Sequence, residues 1–128
     1  MDKYTIEDII ELSNDKTYKK ELEDFDVAVE GGNPGCGDIV KIYLKVNEQE
    51  IVKASYVGNG CTISQASANL LMYHINNKKL NEIENIDIDF IKQELGENIY
   101  LLRPNCASLA INVLKATIKK YYRTKNLK

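Results

Sequence analysis

The chain has 128 residues, 44% of them hydrophobic and 28% charged, and its formal net charge is −2. These values indicate a single compact domain, predicted to cover residues 1–128, and they argue against a nucleic-acid-binding protein, which would carry a clustered basic surface. No apolar run reaches the ~20 residues that span a bilayer, and the N-terminus lacks the apolar segment of a secretory signal. We therefore expect a cytoplasmic protein that does not contact membranes.

The first half of the chain predicts a helix and then three strands. Thr5 can cap the helix, because Asp8 follows three residues later. Ile6, Ile9 and Ile10 then share one face of it. Apolar residues that alternate with polar ones predict the strands, which cover residues 25–30, 40–46 and 51–57.

The second half predicts helices only. One helix starts just after Cys61 and ends near 76–77, and a shorter one begins after Asp87 and ends at Gly96. The final helix starts near 104–106, and its buried stripe is formed by Ala107, Ala110, Ile111, Leu114 and Ile118. A helix, a small antiparallel sheet of about three strands and then further helices predict the α+β fold class.

Three cysteines and one aspartate are the candidate metal ligands. Cys36 lies in the glycine-rich loop 31–38, and Asp38 follows two residues later, so that a thiolate and a carboxylate can bind one ion. Cys61 ends a second glycine-rich loop. Cys106 opens the last helix, where unpaired N–H groups favour a thiolate. None of the three cysteines falls within a predicted apolar stripe, and an odd number excludes a closed set of disulfides.

Three thiolates and one carboxylate suit zinc or iron in roughly tetrahedral geometry. The spacing is not that of a zinc finger, because the chain contains no Cys-x-x-Cys pair. The fold must therefore bring the four residues together.

Three segments carry a resemblance to a known family. They read Gly-Asn-Pro-Gly-Cys-Gly-Asp at 32–38, Gly-Asn-Gly-Cys-Thr-Ile-Ser-Gln-Ala-Ser at 58–67, and Arg-Pro-Asn-Cys-Ala-Ser-Leu-Ala at 103–110. In order and in their strand–loop–helix setting they resemble the three cysteine motifs of the IscU/NifU-type iron–sulfur scaffolds. The resemblance extends over about residues 20–122.

This resemblance implies a function in iron–sulfur cluster assembly. A scaffold of this type accepts sulfur from a cysteine desulfurase, assembles a transient [2Fe–2S]-type cluster with iron and passes it to acceptor apo-proteins. Such a protein is a carrier and not an enzyme, and we expect a monomer or a weak homo-oligomer. The ligands that the resemblance implies are Cys36, Asp38, Cys61 and Cys106. Because carboxylate is a weaker cluster ligand than thiolate, Asp38 is interpreted as a source of lability.

The sequence departs from the IscU pattern at two places. Asn105 stands where many IscU members have a histidine, and residues 100–104 replace the Leu-Pro-Pro-Val-Lys segment that a dedicated chaperone binds. The resemblance therefore gives no support for a chaperone partner. The single histidine, His74, is interpreted as a surface or packing residue, which also argues against a cysteine hydrolase with a histidine base.

A second branch of the family gives the alternative function. The sequence that follows Cys61 and the Arg103-x-x-Cys106 spacing resemble those of SufU, which relays sulfur and depends on zinc. However, the interval between Cys61 and Cys106 is close to that of IscU chains, which lack the SufU insertion. In the SufU-like alternative, the chain is a sulfurtransferase with zinc on the same ligands and Cys106 as the persulfide acceptor. Arg103 then pairs with Asp38, steers the persulfide, or is simply an exposed arginine.

Other polar residues near the motifs receive structural interpretations. Tyr43 and Tyr56 are predicted to pack within the sheet. Asn33, before Pro34, is interpreted as a turn residue that the resemblance places beside the metal. Near the start of the helix after Cys61, two serines are predicted to be caps or helix-surface residues: Ser64 and Ser67.

Overall fold

Helix α1 covers Ile6–Ser13 and begins at the predicted cap. The backbone N–H of Asp8 donates to Oγ1 of Thr5 at 3.1 Å, and the N–H of Thr5 donates to Oδ2 of Asp8 at 2.9 Å. The computed structural model describes residues 3–35 and 37–126, so that Cys36 lies outside the described residues.

The predicted face of α1 is not buried as a whole. Ile9 is buried, but Ile6 and Ile10 are 54% and 48% exposed. The side of α1 that contacts the later helix α2 (Thr62–Ile75) is buried, and among the described residues no other helix or strand packs as extensively on α1. The three-isoleucine stripe was therefore too wide a prediction.

Three antiparallel strands form one sheet in the order β1-β2-β3. They cover Val27–Asn33, Asp38–Val46 and Val52–Asn59. Each strand was predicted, but β1 and β3 run further toward the loops than their apolar residues indicated. The glycines and asparagines at those ends pair as strand residues, with Asn33 opposite Asp38 and Asn59 opposite Ile39.

The remaining helices follow the sheet. Helix α2 ends at the predicted place, and its cap is Asn76. Helix α4 (Ile88–Leu95) lies between Asp87 and Gly96, where Gly96 adopts a φ of +88°. Two short helices were not predicted, because neither has a full apolar period; they are α3 (Leu80–Ile83) and α5 (Glu97–Leu102). The last helix, α6, covers Pro104–Asn126.

Helices α2 and α6 pack on one face of the sheet. The five residues predicted as the stripe of α6 are all buried there. Helix α6 crosses β1 closely at Gly31, where an added Cβ would lie 2.6 Å from Cγ2 of Val113. A larger side chain at Gly31 would displace α6, and with it the residues at the start of α6.

A buried amide fixes α2 against the N-terminal segment. Oδ1 of Asn69 accepts from the hydroxyl of Tyr56 at 2.7 Å, and Nδ2 donates to the carbonyl oxygens of Leu12 and Asp15. These bonds hold the middle of α2 at a fixed place relative to β3 and the end of α1. Within residues 3–35 and 37–126, no helix is both long and apolar enough to cross a lipid bilayer.

Candidate metal centre

Asp38 occupies the first position of β2 and points toward the helices. The alternation of the strand leaves Ile39 exposed while Asp38 and Val40 face inward. The carboxylate is 2% exposed; its Oδ1 accepts from the backbone N–H of Cys61 at 3.1 Å. Oδ2 is buried and has no hydrogen-bond partner among the described residues. A buried carboxylate oxygen without a partner is costly, and a metal ion would satisfy it.

Cys61 is the N-cap residue of α2, as predicted. Its side chain makes no capping hydrogen bond, although Oγ of Ser64 donates to its carbonyl oxygen at 3.0 Å. The thiol is half-buried. It is therefore available to a ligand at the positive end of a helix of 14 residues.

Cys106 is the third residue of α6 and is only 1% exposed. It lies one turn before Ala110 on the buried side of the helix, so the prediction that no cysteine falls on an apolar stripe was wrong for Cys106. Nδ2 of Asn33 donates to its Sγ at 3.9 Å. Asn33 thus contacts a candidate ligand directly. Its place before Pro34 indicated a turn, and the family resemblance placed it beside the metal; this contact agrees with the position that the resemblance implied.

The structure brings Asp38, Cys61 and Cys106 together. One ligand atom of each lies within 4.8 Å of those of the other two. The residues come from the start of the central strand β2 and from the starts of two helices, whose N–H groups favour negatively charged ligands. Two sulfurs and one carboxylate oxygen suit zinc or iron better than magnesium or calcium. The fourth predicted ligand, Cys36, lies outside the described residues, so its contribution stays a prediction.

Gly60 is required for this arrangement and was not singled out from the sequence. A Cβ at this position would lie 2.2 Å from Oγ of Ser64 and 2.9 Å from Oδ1 of Asp38. Any side chain at Gly60 would therefore push the carboxylate away from Cys61. The signal in the sequence was the pair Gly58-x-Gly60, which was interpreted only as a loop.

Arg103 does not form the ion pair with Asp38 that was one of its predicted roles. It is exposed at the end of α5, and in the described part of the chain no ion pair joins it to Asp38. Asn105 is exposed as well. Arg103 and Asn105 thus lie at the surface, three residues and one residue before Cys106 in the sequence.

His74 lies away from the three candidate ligands. Its ring packs on Phe90 with the ring centroids 4.3 Å apart. Burial lowers the pKa of His74, and the positive charge of Lys78 lowers it further. The interpretation of His74 as a packing residue agrees with this contact.

The remaining sequence interpretations have mixed outcomes. Tyr43 and Tyr56 are buried within the fold, as predicted. Ser64 and Ser67 are not surface residues: they are 1% and 0% exposed, because α2 is covered on several sides. The hydroxyl of Ser67 has no partner among the described residues.

The sequence matches the family model described as the NifU-like N-terminal domain over residues 4–128. The chain belongs to the NifU-like N-terminal domain family. One relative, the iron–sulfur cluster assembly scaffold protein IscU of Thermotoga maritima, is 34% identical to this chain over 133 aligned positions. That alignment covers 91% of this chain and 94% of the relative.

Solved structures of the NifU-like family agree with the fold. A candidate iron–sulfur cluster assembly scaffold protein for the SUF system, SufU of Fervidobacterium islandicum AW-1, superposes with a TM-score of 0.73 at 25% identity. The superposition covers 90% of this chain and 96% of the SufU chain. A nitrogen-fixing NifU-like protein (N-terminal) of Brucella abortus also gives a TM-score of 0.73, with 90% and 92% of the two chains covered; at 18% identity it supports the fold alone. The predicted α+β fold of the IscU/NifU type is confirmed.

Proposed function

We propose that this chain is an iron–sulfur cluster assembly scaffold. It receives sulfur from a cysteine desulfurase, combines it with iron, holds a transient [2Fe–2S]-type cluster and transfers the cluster to acceptor apo-proteins. The observation that carries the proposal is the convergence of Asp38, Cys61 and Cys106, whose ligand atoms lie within 4.8 Å of one another. The naming of relatives as IscU scaffolds supports the same function.

The ligand set that we propose has four members. The two cysteine sulfurs and a carboxylate oxygen of Asp38 lie within 4.8 Å of one another, and Oδ2 of Asp38 has no hydrogen-bond partner among the described residues. Cys36 follows β1 two residues before Asp38 in the sequence. The described residues on either side support a place for Cys36 in the set, because Asn33 and Asp38 are paired across β1 and β2. We propose that Cys36 completes the set and that the chain folds as one domain over residues 1–128 in the cytoplasm.

Each residue has a defined chemical task in this proposal. A cysteine thiolate attacks the outer sulfur of the desulfurase persulfide; a new S–S bond forms, the old one breaks, and the desulfurase thiolate leaves. A thiol reductant then supplies two electrons that release the sulfur as sulfide for the cluster. Thiolates hold the cluster iron, while the Asp38 carboxylate binds it more weakly and favours its release.

Anaerobic reconstitution tests the scaffold function. Incubation of the reduced protein with ferrous iron, sulfide and dithiothreitol should yield thiolate-to-iron charge-transfer bands, with iron and acid-labile sulfide in equal amounts. The variant Cys61→Ser should lose these bands, while Asn105→Ala, an exposed change beside the site, should keep them. A folded wild-type protein that gives no such bands would contradict the proposal.

The second candidate function is a SufU-like sulfurtransferase, which the Arg103-x-x-Cys106 spacing favours; the SufU structure that superposes on this chain is itself described as a scaffold. In it, zinc bound by Cys36, Asp38, Cys61 and Cys106 would fix the ligands and keep the cysteines as thiolates, and Cys106 would accept the persulfide. Protein purified without added metal should then contain tightly bound zinc and no sulfide. It should also stimulate a cysteine desulfurase, and Cys106→Ala should abolish the stimulation. Iron with sulfide and little stimulation would support the scaffold instead.

A further inference from the structure

A basic pocket opens beside the candidate metal centre and has no role in the functions described above. Its volume is about 240 Å³, and it lies where the end of α1 faces the loop between β3 and α2. The lining residues include no aspartate or glutamate among those described; they are Ser13, Asn14, Lys16, Lys19, Asn59, Gly60, Thr62 and Gln65. Gly60 and Thr62 flank Cys61 in the sequence, so the pocket directly adjoins the site.

Two lysines give the pocket its positive charge. Neither Lys16 nor Lys19 forms an ion pair within residues 3–35 and 37–126. Both lysines line the same pocket, and the pKa of Lys19 is lowered by burial and further by the charge of Lys16. The nearest acidic side chain in the sequence, Asp15, is engaged elsewhere: it accepts from the hydroxyl of Tyr73 at 2.6 Å and from the N–H of Thr17 at 2.8 Å.

A buried amide in the same pocket lacks partners. Gln65 is only 6% exposed, and its Nε2 and Oε1 have no hydrogen-bond partner among the described residues. A buried N–H group without a hydrogen-bond partner is energetically costly, and an acceptor bound in the pocket would remove this cost for Nε2. The first turn of α2 adds backbone N–H groups, and the cap residue Cys61 contributes no side-chain bond to them.

We propose that this pocket binds an oxyanion, a carboxylate or phosphate group, through Lys16, Lys19, the Gln65 amide and the first turn of α2. The donors are those that bind such groups elsewhere in proteins: ammonium groups, an amide N–H and a helix N-terminus. An oxyanion bound here would lie next to Cys61. The oxyanion can come from a small molecule in solution or from an acidic side chain of a polypeptide.

Nuclear magnetic resonance titration of the metal-free protein tests the pocket. The result of this titration does not depend on the proposed function, because the sample contains no iron, sulfide or zinc. Sodium phosphate, sodium succinate and a pentaglutamate peptide are added separately at constant ionic strength, with dithiothreitol as the reductant. We expect saturable shifts of the Thr62–Gln65 backbone amides and of the Gln65 side-chain amide, with a dissociation constant on the order of 1 mM.

A charge-matched pair of variants separates the pocket from a general ionic effect. Lys16→Ala/Lys19→Ala should weaken binding about ten-fold or more, because two charge-assisted hydrogen bonds are lost. Lys115→Ala/Lys119→Ala removes the same charge from exposed positions of α6 and should leave the affinity unchanged. Saturation by phosphate or succinate indicates a free anion, and saturation by pentaglutamate alone indicates an acidic polypeptide. Absence of saturation by all three up to about 50 mM, or equal weakening in both variants, would overturn the proposal.

Discussion

The backbone N–H of Cys61 donates to Oδ1 of Asp38 at 3.1 Å, while Oδ2 of the same carboxylate is buried and has no hydrogen-bond partner in residues 3–35 and 37–126. One oxygen therefore fixes the orientation of the carboxylate, and the other is free for a metal ion. The bond also ties the start of β2 to the cap of α2. The site is thus oriented before any ligand binds.

Replacing the carboxylate with a thiolate should slow cluster release. In Asp38→Cys, a fourth sulfur ligand binds iron more strongly; if it adds about 1.4 kcal/mol, loss of the cluster to a chelator becomes about ten-fold slower. The decay of the charge-transfer absorbance after chelator addition measures the rate. Glu48→Cys, which adds a thiol in the exposed turn before β3, is the control and should not change it. Equal or faster loss from Asp38→Cys would contradict the role of Asp38 in release.

A methyl group at Gly60 should damage the site and the fold together. Gly60→Ala places a Cβ against Ser64 and Asp38, so we expect a loss of about 1–3 kcal/mol in the free energy of unfolding. Metal content should fall with it, because the carboxylate moves away from Cys61. Urea denaturation of the metal-free protein measures the first effect.

The matched control for Gly60 is Gly35→Ala in the neighbouring loop. An added Cβ there meets only Oδ1 of Asn33 at an ordinary distance of 3.8 Å. Its unfolding free energy should stay within about 0.5 kcal/mol of the wild type. A Gly60→Ala protein as stable as Gly35→Ala would show that the contacts at Gly60 relax easily.

The two described cysteines should differ in reactivity. Cys61 is half-buried and Cys106 is buried, so iodoacetamide should modify Cys61 faster in the folded, metal-free protein. Peptide mass spectrometry after timed quenching gives both rates, and the difference should disappear in urea. Equal rates in the folded state would mean that the start of α6 opens readily, as a persulfide acceptor at Cys106 requires.

His74 should make the stability depend on pH near neutrality. Its pKa in the folded protein lies below the ordinary value of 6.5, so the unfolded chain binds the proton more readily. Its contribution is therefore present above pH 6.5 and is lost as the pH falls through the folded pKa. Urea denaturation between pH 8 and pH 5 should show a steeper decline for the wild type than for His74→Gln. Parallel curves would contradict the assignment.

The sequence predicted the order of the main elements because their periods are regular. Thr5, Asp87 and Gly96 also indicated helix ends, since caps act locally. The predicted strand ends were less accurate, because pairing of Asn33 with Asp38 depends on the neighbouring strand and not on hydrophobicity.

The site residues were identified from their motifs, but their surroundings were not. Burial of Cys106 depends on how α6 packs against the sheet, and α6 approaches β1 closely only because position 31 is a glycine. The contact of Asn33 with Cys106 joins residues far apart in the sequence. Such tertiary contacts leave no local pattern: only the family resemblance placed Asn33 beside the site, and the burial of Cys106 was missed.

The Asn69 amide, on α2, bonds to three partners that lie in β3, in the last turn of α1 and in the segment that follows α1. A metal ion at Asp38, Cys61 and Cys106 would join the sheet, α2 and α6 in the same manner, as a cross-link that closes long stretches of chain. Ligand binding would then contribute directly to the free energy of folding. Binding of the metal ion or cluster should raise the melting temperature and slow amide exchange at the start of α6. Its release should reverse both changes.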